Sequence, residues 1–108
     1  MISTHILDTS SGNPAKDVEV ILKKKNKLNQ WEIIDQGKTN SDGRYVFNGF
    51  EGIGIYQINF AIENYFKLKN IPFFFLDNSI IFQIESDQRK YHVPLLLNPY
   101  GYSTYRGS

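Results

Sequence analysis

Two histidines, His5 in ISTHILD and His92 in YHVPLLL, are the side chains of this 108-residue chain that ordinarily titrate near neutral pH. A histidine can carry protons in a reaction, ligate a metal, or serve as a hydrogen-bonded structural group. The metal reading has a short ligand set, because the chain has no cysteine and no helical H-x-x-x-H or C-x-x-C spacing. Two arginines stand at marked places. Arg44 closes the turn NSDGR, and Arg106 lies in the YRGS that ends the chain. Taken singly, each reads as a solvated charge. The last eighteen residues, YHVPLLLNPYGYSTYRGS, are unlike the short polar tail on which most chains fray. Three tyrosines, an arginine, glycines and serines follow closely on an apolar run.

The elements that carry these residues show period-two alternation. In YQINFAI, Tyr56, Ile58, Phe60 and Ile62 share a face. In DVEVILK, Val18, Val20 and Leu22 do so, and in KYHVPLLL the set is Tyr91, Val93, Leu95 and Leu97. Parity sets His5 with Ser3 and Leu7, opposite Ile2, Thr4 and Ile6. It sets His92 with Pro94 and Leu96, away from the core-facing set. An outward face that carries Leu96 suits packing against another subunit. Pro94 removes a ladder donor, so its strand should have an edge, a bulge or an unusual neighbour at that point.

Turn signals at SSGNP (10–14), NSDGR (40–44), FEGIG (50–54) and LDNS (76–79) separate the strands at short intervals. The pattern predicts an all-β sandwich. One stretch breaks it: IENYFKLKN sets Ile62, Tyr65, Phe66 and Lys69 at helical spacing and predicts a short helix around 62–69. Lys23, Lys24, Lys25 and Lys27 read as a solvated hairpin tip rather than a phosphate site, since no aromatic residue is interleaved with them. Trp31 reads as core or strand packing.

Length fits one domain, residues 1–108, with 41% hydrophobic residues to form a core. The net charge of +1 calls for neither nucleic acid nor a membrane surface. Without cysteine, disulfides and a cysteine nucleophile are excluded. The start of the chain has no secretory pattern and no apolar run spans a bilayer, so a soluble cytoplasmic protein is expected. Composition and periodicity do not choose a reaction.

ISTHILDTSSGNPAKDVEVIL, GKTNSDGRYVF, YFKLKN and above all YHVPLLLNPYGYSTYRGS resemble the 5-hydroxyisourate hydrolases, the enzyme branch of the transthyretin-like family. The resemblance runs from Ile2 to Ser108. The first half is also similar to non-catalytic prealbumin-type modules. The tetrapeptide Tyr105-Arg106-Gly107-Ser108 marks the hydrolase branch and sets it apart from the hormone carriers. The resemblance implies a transthyretin-like sandwich of about eight strands with one short helix. It also implies a homotetramer, a dimer of dimers with sites at the dimer–dimer interface, and a cofactor-free hydrolysis of the cyclic amide of 5-hydroxyisourate in urate degradation. His5, Arg44, His92 and Ser108 would be the catalytic residues: His92 the base that activates water, Ser108 the group that orients it, His5 a substrate contact and proton donor, Arg44 the partner of the oxyanion. Tyr105, Arg106 and Gly107 would bind substrate beside His5 and Arg44. The middle stretch NIPFFFLDNSIIFQIES departs from the family's FFPEI wording, which leaves the shape of that loop open. The competing reading is a non-catalytic transthyretin-like ligand carrier.

Overall fold

In the computed structural model, which describes residues 1–108, the alternating segments become two stacked sheets. Strands β1 (Ile2–Asp8), β2 (Asn13–Pro14), β3 (Glu19–Lys25), β4 (Trp31–Lys38), β5 (Arg44–Phe47) and β6 (Gly54–Phe60) precede the one helix, α1 (Ile62–Leu68). Strands β7 (Asn78–Ile84), β8 (Tyr91–Asn98) and β9 (Gly101–Thr104) follow it. One sheet has the order β4-β3-β6-β7. In the other, β2-β1-β8-β9, strand β8 runs parallel to β1 along its whole length. The opposite edge of β1 is shared: β5 pairs Ile2 to His5, and β2 pairs Leu7 and Asp8.

The inner faces are those that alternation marks. Ile2 and Ile6 of β1 and Tyr91, Val93, Leu95 and Leu97 of β8 pack across from Val20, Leu22, Tyr56, Ile58 and Phe60. Each such burial contributes about 1.5–3 kcal/mol. A slip of one residue would turn an entire strand inside out, so this layer also fixes what faces outward. Thr4 lies within the inner layer because its hydroxyl donates to Val93 O at 2.6 Å. Asp8 is buried there because Tyr65 Oη donates to its carboxylate at 2.8 Å. That bond ties α1 to β1 and pushes the Tyr65 phenol well above its usual range, burial contributing most.

Two details differ from the sequence expectation, while the helix falls where it is expected. Nine strands form rather than about eight, because the chain leaving SSGNP lies beside β1 for two residues, and Ala15 N–H then bonds Ile6 O at 2.9 Å. The helix ends at Leu68, with Lys69 as its cap, while Ile62, Tyr65 and Phe66 form its buried stripe. In LDNS, Asn78 and Ser79 already belong to β7, paired with Phe60 and Asn59. The loop before it is held by Phe73 stacked on Phe66 at 5.8 Å and by Phe74 N–H bonded to Pro99 O at 2.8 Å. The lysine cluster sits at the β3–β4 hairpin end. There Lys24 Nζ donates to Glu51 O at 2.8 Å and Lys25 lies over the Trp31 ring at 5.5 Å, which accounts for both features as strand packing.

Candidate active site

Strand register assembles the polar residues into two rows on the outward face of the β1–β8 sheet. The first row is Val46, Ser3, His92 and Gly107 on four successive segments. The second, two residues along, is Arg44, His5 and Pro94. Arg44 lies directly opposite His5, about 5 Å between Cβ atoms in such a pair, and His92 is the diagonal neighbour of His5 at about 7–8 Å, so the three form one cluster although 87 residues separate the histidines in sequence.

A built turn presents Arg44. Asn40 Oδ1 accepts from the backbone N–H of Asp42 at 2.9 Å and of Arg44 at 3.0 Å, and Gly43 N–H bonds Asn40 O at 2.9 Å. Gly43 has φ +73°, and a Cβ there would come within 2.6 Å of Ile6 O, so only glycine closes the turn this tightly against β1. Gly43 O in turn accepts from Ile6 N–H at 2.8 Å. The turn is thereby docked on β1, with Arg44 exposed directly opposite His5.

Burial and charge act in the same direction on both imidazoles. Partial burial lowers His92 from its ordinary value, and the Arg44 guanidinium and then His5 lower it further, while a hydrogen bond to the Ser3 backbone opposes them. For His5, burial is again the largest cause, followed by Arg44, while a hydrogen bond to the Asp42 backbone opposes them. Both shifts favour the neutral imidazole. The adjoining guanidinium also makes the cluster a poor place for a metal cation.

The tail reaches this site through Pro94. The β8–β9 ladder ends with Leu95 opposite Thr104, and pairing resumes in the same register at His92 opposite Gly107. The interruption falls where Pro94 has no N–H to give. Thr104 Oγ1 caps the gap by donating to Pro94 O at 2.7 Å, and Gly107 N–H then bonds His92 O at 2.8 Å. A Cβ on the buried Gly107 would lie 2.7 Å from His92 Cδ2, so the tail approaches the ring only as glycine.

The structure brings His5, Arg44, His92 and Gly107 together. Tyr105 and Arg106 are exposed and line an adjacent apolar groove of about 240 Å³, walled by Ile80 and Phe82 of β7, which shares only His92 with the cluster. Ser108, expected to orient His92 through its hydroxyl or its terminal carboxylate, is not the side-chain partner of that ring here. It is exposed and makes no side-chain hydrogen bond, while the partner of His92 Nδ1 is Ser3 Oγ at 2.9 Å. The reason is register: Ser3 lies straight across the parallel ladder from His92, and the Gly107 bond carries the chain past the ring before Ser108 is reached. Sequence reading missed Ser3, although parity already placed it beside His5. It also missed Asn40, which the N-x-D-G spacing of an Asx turn could have marked.

Comparison with known proteins agrees in extent with this architecture. A family model described as the HIUase/Transthyretin family matches residues 2–107. A 5-hydroxyisourate hydrolase of Salmonella dublin is 43% identical over 111 aligned positions, covering 100% of this chain and 81% of that one. The solved 5-hydroxyisourate hydrolase of Klebsiella pneumoniae superposes with a TM-score of 0.86 at 33% identity, covering 99% of this chain and 98% of the other. Transthyretin from sea bream, solved with thyroxine, superposes with a TM-score of 0.92 at 24% identity over 98% of this chain and 93% of the other, a likeness of fold alone.

Proposed function

Because the chain belongs to the HIUase/Transthyretin family, we propose that it hydrolyses the cyclic amide of 5-hydroxyisourate to 2-oxo-4-hydroxy-4-carboxy-5-ureidoimidazoline, a step of urate degradation. The observation that carries this reading is the pair of outward rows in which Arg44, His5, His92 and the tail meet. A carrier of an apolar ligand on the same fold has no use for two neutral imidazoles beside a guanidinium.

Amide hydrolysis needs an activated water, a stabiliser for the tetrahedral oxyanion and a proton for the leaving nitrogen. His92, held neutral, takes the proton from water as the oxygen attacks the carbonyl carbon. The oxyanion that forms is met by Arg44, whose planar fork donates and never accepts. When the carbon–nitrogen bond breaks, the imidazolium of His92 returns its proton to the nitrogen. His5 is lowered by the same guanidinium, so a standing positive charge on it is disfavoured. It therefore serves better as a neutral hydrogen-bonding contact to the substrate than as the proton donor. Gly107, fixed on His92, brings the end of the tail with Ser108 to the cluster, and Tyr105 and Arg106 bound the adjoining groove, from which they would meet the part of the substrate that reaches past His92.

The assembly that suits this site is a homotetramer, a dimer of dimers in which two such outward faces meet and enclose the substrate. Exposed Val46 and half-buried Leu7 and Leu96 on that face support it. The whole chain is read as one hydrolase domain, working in the cytoplasm without a cofactor. The test is to generate 5-hydroxyisourate in situ and follow its ultraviolet absorbance. Decay accelerated in proportion to added protein supports the reading, and decay at the spontaneous rate contradicts it.

A further inference from the structure

We propose that Ser3 is a positioning residue for this chemistry: its Oγ accepts the Nδ1–H of His92 and so keeps the lone pair on Nε2. The inference rests on the reading of His92 as the base. The ring is held at two points. Nδ1 lies 2.9 Å from Ser3 Oγ, and the Cδ2 side lies against Gly107. These are the two ring atoms next to Cγ, so β1 and the tail pin the imidazole between them and its Cε1–Nε2 edge points away from the backbone.

A neutral imidazole carries one proton, and a base at Nε2 requires that proton on Nδ1. Without a partner, the Nε2–H tautomer is the more populated form of neutral histidine, and that form cannot take a proton at the outer edge. Arg44 on the same face is a pure donor, which favours a lone pair rather than an N–H facing it. An acceptor at Nδ1 completes the arrangement, as second partners do for histidines in other sites. The neighbouring hydroxyl shows the contrast. Thr4 donates to Val93 O in the buried layer and is a structural group. Ser3, one residue away, has its hydroxyl bonded to the imidazole on the outward face.

The test uses the full chain with Ser3→Ala and Ser3→Thr. Two-bond nitrogen–proton NMR of the imidazoles at pH 8 reports the tautomer, with His92 identified by the signal lost in His92→Asn. The expected result is Nδ1–H in the parent and in Ser3→Thr, with Nε2–H gaining in Ser3→Ala. Turnover in Ser3→Ala should fall about 10- to 100-fold, the size of loss found when the orienting partner of a metal-bound histidine is removed, and Ser3→Thr should restore it. A parent spectrum showing Nε2–H overturns the inference, and needs no variant to fold. So does a parent-like rate or an unchanged tautomer in Ser3→Ala. A parent with no turnover of 5-hydroxyisourate would sink the proposed function, while the spectra would still decide the role of Ser3.

Discussion

Arg44 acts on its surroundings in two ways, by its shape and by its charge. Its shape is a fork that can meet a developing oxyanion at two points, which an ammonium cannot reproduce. Arg44→Lys should therefore lower kcat/KM by about 10²–10³-fold, the cost of losing one oxyanion donor, with a melting temperature close to the parent's because Arg44 is exposed. Parent-like kinetics in that variant would make Arg44 an ordinary turn residue. Its charge lowers both histidines, after burial. The base form of His92 then persists as pH falls below about 6.5, the ordinary histidine value, so the acid limb of kcat/KM should lie below that pH. Arg44→Gln removes the charge, which should raise His92 and move the residual activity's acid limb to higher pH. A limb that stays put, measured from pH 5 to 8, would show that some other group governs it.

At the scale of elements, the tail is a strand interrupted at one place and resumed. Its hold on β8 is the Gly107 N–H to His92 O bond, and a hydrogen bond of this kind contributes about 1 kcal/mol net. Deleting Tyr105 to Ser108 removes that bond and no side chain of the core, so melting should fall by a few degrees at most while hydrolysis is lost. Gly107→Ala should resemble the deletion, since its Cβ would force the tail off the His92 ring. Activity retained in the truncated chain would reduce the tail to an ordered end. The oddity of Pro94 was legible in the sequence, because a missing donor in an apolar run must interrupt some ladder. The ladder it interrupts was not legible, since it depends on Thr104 and Gly107 returning to β8 in one register. Alternation made the outward set of His5, Ser3, His92 and Leu96 readable, because burial repeats every two residues. The Ser3–His92 bond was hidden for a different reason: it joins residues 89 apart across a parallel pair, and nothing local in either segment specifies the partner. Asp8 and Tyr65 likewise show no helix or strand signal of their pairing, which arises where α1 folds back on β1.

For the whole molecule, a cluster on an open sheet face lets water compete with every polar contact, and enclosure by a second copy removes that competition. The protein should accordingly run as a tetramer by light scattering at assay concentration. Introducing aspartate at Val46, an exposed position in the same row as His92, should dissociate the face and lower turnover together. Full activity in a persistent monomer would contradict an interfacial site. In the proposed reading, the outward face built from β5, β1, β8 and the tail is a hydrolytic centre with His92 as its base. The most direct test of that reading is the rate of 5-hydroxyisourate decay for His92→Asn beside the parent, with circular dichroism and light scattering matched. Asparagine can hydrogen-bond but cannot take the proton from water, so the account predicts a loss of about 10²–10⁴-fold with fold and assembly unchanged. Decay at the parent rate would mean that His92 is a structural residue and that the chemistry lies elsewhere.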